Sequence, residues 1–213
     1  MSVLVTGFGS FGDQTNNPSQ LLARALNGRR IAGESVTGVV LPVATGQVGP
    51  ALATAIDDAR PRLVVALGVA PGRTAPALER VAVNVRDFPI PDTDGALPVD
   101  EPVIVDGPDA YLATLPVKKI LSAWQNAGLP GYVSNTAGTY LCNQVFYLIS
   151  HRARQDGFQA GFIHLPALPA WGRATVPAPS MSLEPMEQAV QIAVTVAAGH
   201  DGPDLSLAAG AVS

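Results

Sequence analysis

Charge is scarce in this chain. Of 213 residues, thirteen are Lys or Arg and seventeen are Asp or Glu, which is 14% of the chain against about a quarter in an average domain. Disorder driven by charge excess is therefore excluded. The net charge is −4 and basic residues never run beyond a pair, so neither nucleic acid nor an anionic membrane surface is expected as a partner. Long apolar runs are missing too, and none reaches the ~18–20 residues of a membrane span. Cysteine is nearly absent: Cys142 stands alone, which rules out an intrachain disulfide and a Cys-rich zinc site. The opening Met1-Ser2-Val3-Leu4-Val5-Thr6-Gly7 has no basic segment, apolar stretch and cleavage site of a secretory signal. With the lone thiol, this leads to an expectation of a reducing cytoplasm. What is abundant is glycine, 21 residues, and proline, 19, the punctuation of a loop-rich body.

The chain length suits one domain with a sizeable core. Residues 3–6 read as a strand ending in a Gly-rich turn. Asn17 is then placed to cap a helix whose first residue is Pro18, where a missing N–H costs nothing. Strands are expected at 36–43, 63–67, 78–85, 132–133 and 160–165, and helices at 47–59, 115–127, 140–155 and from Ser182 to about Ala198. Residues 89–108, rich in Pro, Asp and Gly, read as an extended excursion or hairpin, and 166–179 as a loop holding four prolines. Strand and helix alternate with short links, the pattern of a three-layer α/β/α sandwich. The boundaries expected are a single domain over 1–198 and a frayed tail over 199–213.

Gly7-Phe8-Gly9-Ser10-Phe11-Gly12 matches a dinucleotide-binding fingerprint, yet the following helix starts too late for Gly12 to lie in its first turn. Two phenylalanines would also crowd a pyrophosphate, so a loop presenting Phe8 and Phe11 as an apolar wall is the better reading. Cys142 reads either as a small buried hydrophobe or, from its place in the first turn of a helix, as a nucleophile. There the unpaired N–H groups favour a thiolate and can hold an oxyanion. His164 ends an apolar strand at the edge where open α/β sheets bind ligands; a hydrogen-bonded core histidine is the alternative. Glu79 is a charge inside an apolar strand, expensive unless paired. It reads as the carboxylate that completes a Cys–His–Glu set, or as an ion-pair partner of Arg73 or Arg80.

At these residues the sequence resembles the pyroglutamyl peptidase type I family, also called pyrrolidone-carboxylate peptidases, over residues 3 to about 198. The resemblance is carried by Val5-Thr6-Gly7-Phe8-Gly9-Ser10-Phe11-Gly12, Asn17-Pro18-Ser19, Leu41-Pro42-Val43 and Gly68-Val69-Ala70-Pro71-Gly72-Arg73. It continues through Glu79-Arg80-Val81-Ala82-Val83-Asn84, Val133-Ser134-Asn135-Thr136-Ala137-Gly138-Thr139-Tyr140-Leu141-Cys142-Asn143, Gly161-Phe162-Ile163-His164-Leu165-Pro166 and Pro179-Ser180-Met181-Ser182. It implies a cysteine exopeptidase that removes N-terminal pyroglutamate from peptides, with Cys142 as nucleophile, His164 as general base then acid, and Glu79 orienting His164. It implies an α/β/α fold with a mixed, mostly parallel sheet, assembly as a homo-oligomer (dimer or tetramer), and no metal or organic cofactor. Phe8 and Phe11 would sandwich the lactam ring, with Asn17, the Val69 backbone, Ile90, Tyr140 and Leu141 lining the pocket.

Three positions depart from the family. Pro89 stands where members usually carry an arginine before Ile-Pro-Asp that is thought to assist the oxyanion, Ala77 replaces a polar residue, and Val69 replaces a common glutamine. Proline brings neither charge nor N–H, and loss of one oxyanion donor lowers turnover by roughly 10²–10³. Arg86 or Arg73 is the candidate substitute. The alternative function is a divergent amidohydrolase of the same fold with altered substrate or reduced activity.

Overall fold

The computed structural model describes residues 2–11, 16–169 and 179–210. In chain order its elements are β1 (Ser2–Phe8), α1 (Pro18–Leu26), β2 (Arg30–Ile31), β3 (Glu34–Leu41), α2 (Thr45–Ala59), β4 (Leu63–Val69), β5 (Ala77–Glu79), β6 (Val81–Val83), β7 (Ala110–Leu112), α3 (Val117–Asn126), β8 (Tyr132–Ser134), α4 (Leu141–Asp156), β9 (Gln159–Leu165) and α5 (Leu183–Ala198). Seven strands form one sheet in the order β2-β3-β1-β4-β9-β5-β8. Its pairings are parallel except β2 with β3 and β5 with β9. The expected mixed, mostly parallel sheet is therefore present.

Strand alternation splits the apolar residues into two cores. Val3, Val5, Leu63, Val65, Leu67, Ile163 and Leu165 face α1, α3 and α5. Leu4, Phe8, Val64, Ala66, Ala160 and Phe162 face α2 and α4. β4, Leu-Val-Val-Ala-Leu-Gly-Val, is buried on both faces, as a central parallel strand requires. At α1, Asn17 Oδ1 accepts from the Ser19 N–H at 3.0 Å, with Pro18 first in the helix.

The expected strand over 78–85 is corrected. The chain changes sheets at Arg80, so β5 joins the main sheet while β6 pairs antiparallel with β7 in a small two-stranded sheet. Val81 and Val83 belong to that second sheet while Val85 lies beyond its end, and the excursion expected at 89–108 falls in the long loop between its strands. The short β2 and β7 carry too few residues for a periodic signal. Ser182 precedes α5 as expected, but its side chain makes no capping bond. Within the tail expected at 199–213, His200 is buried and Asp204 and Ala209 meet the body, while most of 201–210 is exposed. Asp204 accepts from the N–H groups of Lys118 (2.8 Å) and Lys119 (3.0 Å) at the start of α3, and the Arg80 guanidinium donates to Ala209 O at 3.3 Å. An acidic side chain at a helix start explains this docking. Most of the loop at 166–179 lies outside the described residues. Among the described residues, no helix is long and apolar enough to cross a membrane.

Candidate active site

The site lies where β4 and β9 end against α4, beside the antiparallel β5. Register partners share a face, and Gly68 of β4 pairs with His164 of β9. A Cβ built on Gly68 would lie 2.7 Å from Cys142 Sγ and 2.8 Å from Phe162 Cζ. Phe162 is two residues before His164 and therefore points the same way. Cys142, Gly68, Phe162 and His164 thus meet on the α4 side of the sheet, and only a residue without a Cβ leaves room for the sulfur. Glu79 pairs antiparallel with Phe162, which brings its carboxylate to the same face. There His164 Nδ1 donates to Glu79 Oε1 at 2.7 Å, leaving Nε2 free of that bond. Glu79 is fully buried and His164 nearly so.

The sequence places Cys142 at a helix start, and the structure agrees: Tyr140 is the cap and Cys142 the second residue of α4. The Tyr140 side chain makes no capping bond, and among the described residues the N–H groups of Leu141, Cys142 and Asn143 have no side-chain partner in another residue that would keep them from a substrate. The helix start favours a thiolate, but burial outweighs it. Burial pushes the Cys142 thiol up to about 12, the Glu79 charge adds to the rise, and Arg73 and the residue's own N–H oppose it. Burial also holds His164 below the ordinary imidazole value, against the Glu79 hydrogen bond and charge and with help from Arg73. Both shifts act toward the uncharged forms, thiol and neutral imidazole.

The remaining expected site residues divide. Phe11 and Tyr140 approach at 6.1 Å between ring centroids, and Phe88 packs on Tyr140 at 4.4 Å. An aromatic group thus stands at the N-terminus of α4. Phe8 is buried in the core on that side, and Leu141 is almost wholly enclosed, leaving its backbone as the part that can meet a ligand. Asn17 is buried and occupied: Oδ1 accepts from Ser19 N–H and Oγ, and Nδ2 donates to Gly9 O at 3.0 Å. Val69 follows Gly68, so its side chain points to the opposite face and only its backbone reaches the Cys142 side. Ile90 is 48% exposed. Arg86 is engaged by Glu101 Oε2 (3.0 Å), Pro102 O (3.2 Å) and Thr45 Oγ1 (3.2 Å). Arg73 pairs with Glu79 Oε1 at 2.7 Å and reaches Thr136 O at 3.4 Å.

Two residues that sequence reasoning assigned no task hold the site together. Asn143, fully buried beside Cys142, accepts from Val83 N–H (2.9 Å) and donates to Val83 O (2.9 Å) and Val85 O (3.0 Å). It fixes the start of α4 against β6. Asp92 accepts from the N–H groups of Thr45, Asp94 and Ala96 at 2.6–2.9 Å. It thereby caps α2, whose own cap position is Ala44, and ties down the loop carrying Phe88. Tyr140 O–H donates to Pro91 O at 3.4 Å. The Asn143 bonds and the Asp92–Thr45 bond are long-range, and no local spacing signals them.

A mostly parallel α/β/α sandwich that sets one partly exposed thiol against a glycine, beside a His–Glu pair near the strand ends, is the framework of an acyl-transferring hydrolase. The pyroglutamyl peptidase family matches residues 1–200, and the chain belongs to that family, whose members remove N-terminal pyroglutamate. The chain is 45% identical to the pyrrolidone-carboxylate peptidase of Klebsiella pneumoniae (strain 342) over 196 residues, 92% of each protein. It is 42% identical to that of Pyrococcus furiosus over 204 residues, 92% of this chain and 98% of the relative. The solved pyrrolidone carboxyl peptidase of Thermococcus litoralis superposes with a TM-score of 0.93 at 36% identity, covering 97% of this chain and 98% of that one.

Proposed function

We infer that this chain hydrolyses the amide bond after an N-terminal pyroglutamyl residue, with Cys142, His164 and Glu79 as the reacting set. The observation that carries the assignment is the buried His164–Glu79 bond on the same sheet face as the Cys142 sulfur. As the substrate carbonyl approaches, the Cys142 proton passes to His164 Nε2 and the sulfur bonds to the carbonyl carbon. Glu79 holds the Nδ1–H and stabilises the imidazolium that forms. The first-turn N–H groups of α4 receive the developing oxyanion. This route suits a site where Pro89 supplies no charge and Arg73 and Arg86 are bound elsewhere. His164 then gives its proton to the leaving amine nitrogen, the C–N bond breaks, and a thioester remains. Water, deprotonated by His164, cleaves the thioester, releases pyroglutamate and restores the thiol.

The lactam is neutral and compact, so an apolar pocket with backbone hydrogen bonds suits it. Phe11, Tyr140 and Phe88 supply apolar surface at the helix start, with Phe8 beneath them. A mechanism resting on one thiol fits a reducing compartment, and a cytoplasmic location is part of this reading. So is self-assembly, supported by the exposed Leu97, Val99, Val105 and Leu112 on and beside one loop; light scattering that finds only monomer would count against it. The test of the reaction is labelling by iodoacetamide. Modification of Cys142 should track loss of pyroglutamyl turnover, with pyroglutamyl substrate protecting. Full turnover after complete labelling removes Cys142 from the mechanism. A thiol that labels readily in a protein without pyroglutamyl turnover favours the divergent amidohydrolase, for which Pro89 is the motive.

A further inference from the structure

Arg73 and His164 use the same oxygen of Glu79. Arg73 Nη1 and His164 Nδ1 each lie 2.7 Å from Oε1, while Oε2 has no hydrogen-bond partner among the described residues. A buried carboxylate held through one oxygen gives up part of its bonding capacity, so the shared contact fixes Oε1 at the expense of Oε2. The sequence builds the contact locally. Ala70-Pro71-Gly72-Arg73 closes a turn through Arg73 N–H to Ala70 O at 3.2 Å, with Gly72 at φ +92°. Proline second and a left-handed glycine third define a type II turn, which sends Arg73 back over the end of β5. The guanidinium also stacks on Tyr132, 5.8 Å from its ring centre.

We propose that Arg73 is a positioning residue of the hydrolytic site: by pairing with Glu79 Oε1 it holds that carboxylate aimed at His164 Nδ1 and sets a positive charge beside the buried pair. Its catalytic consequence rests on the reading above; the charge linkage itself does not. Among the described residues, the titratable or charged groups facing His164 are Glu79 from β5, Arg73 from the β4–β5 loop and the Cys142 thiol from α4. With Arg73 present, the His164–Glu79 pair has a positive charge 2.7 Å from Oε1 to balance it. Without its charge, the buried His164–Glu79 pair carries an unopposed negative charge and binds a proton more tightly, whichever residue takes it. The proton is taken up at higher pH, and the base is lost where the parent still has it. The direction in the intact site agrees, since the Arg73 charge acts to lower His164.

The experiment is a pH titration of the histidine Cε1–H resonances by NMR in the parent, R73Q, R73M and R73K. H151Q and H200Q assign the other two signals. R73Q and R73M, two neutral replacements of which Met keeps the packed stem, should raise the His164 midpoint by about one pH unit or more. R73K keeps a charge at that position and should stay near the parent, though a point charge replaces the fork. On a pyroglutamyl substrate, the acid limb of kcat/KM should move up with the midpoint, and kcat near that limb should fall about tenfold with KM little changed. A midpoint that stays put or falls in the neutral variants, a His164 that titrates in none of the proteins, or an R73K midpoint displaced as far as in R73Q overturns the proposal. The titration needs no turnover. A parent protein inert toward pyroglutamyl substrates whose His164 still shifts sinks the functional reading and leaves the linkage standing.

Discussion

Gly68→Ala adds one carbon where the structure has no room for it. The new Cβ would lie 2.7 Å from Cys142 Sγ and 2.8 Å from Phe162 Cζ, against an ordinary separation of about 3.5–4.0 Å. Something must move by roughly 1 Å. Phe162 is fully enclosed by core side chains, so the sulfur yields more easily by rotating about its short side chain. That rotation carries it away from the face on which His164 lies. A displacement of about 1 Å from productive geometry lowers turnover about 10²-fold. Overpacking of this size costs about 1–3 kcal/mol, which in a chain this long lowers Tm by about 2–4 °C per kcal/mol. The assay pairs kcat/KM on pyroglutamyl-aminomethylcoumarin with thermal unfolding of both proteins. The expected result is a hundredfold loss of activity in a protein that still folds. Activity within about threefold of the parent, at unchanged Tm, would show that the sulfur does not sit against Gly68 during catalysis.

Other expectations follow from the same contacts. Asn143→Ala strands one N–H and two carbonyls of the β6 segment, each costing about 1 kcal/mol or more, so Tm should drop by several degrees; an unchanged Tm would mean those bonds contribute nothing net. Burial raises the Asp92 carboxyl, but hydrogen bonds from the Thr45, Ala96, Asp94 and Gly95 backbone outweigh it and leave it below the ordinary value. Its stabilisation is therefore full above the unfolded-state value and lost as pH falls through the folded one. Asp92→Asn should flatten that part of the acid unfolding curve, and a curve identical to the parent's would deny Asp92 the role. His164, also held low, contributes in the same sense below about pH 6.5, and His164→Gln should remove that slope as well. With the thiol pushed up to about 12, alkylation of Cys142 in the free protein should keep accelerating above pH 9; a plateau reached near neutrality would indicate a resting thiolate–imidazolium pair instead.

Much of this was legible in the sequence because it is local. Pro18 after Asn17, the apolar run of β4 and the turn before Cys142 are short-range patterns, and each formed the element its pattern implies. The switch of sheets at Arg80 was not legible, since the alternation of Val81, Val83 and Val85 is the same whichever sheet receives the strand. The tail likewise has no apolar period, and its docking depends on Asp204 meeting a helix start more than eighty residues away. At the site, a charge inside an apolar strand marked Glu79 as paired but left its partner open among His164, Arg73 and Arg80. The structure gives His164 and Arg73 on one oxygen. At Cys142 the helix start favours a thiolate and burial opposes it, and no local pattern in the sequence shows that opposition.

The central claim is that Cys142 attacks a pyroglutamyl carbonyl. Release of the fluorescent amine from pyroglutamyl-aminomethylcoumarin by the reduced parent, beside folded Cys142→Ser, tests it most directly. The account predicts turnover by the parent and none above background by the variant. A folded, reduced parent that releases no amine, or a variant that matches the parent, would contradict it.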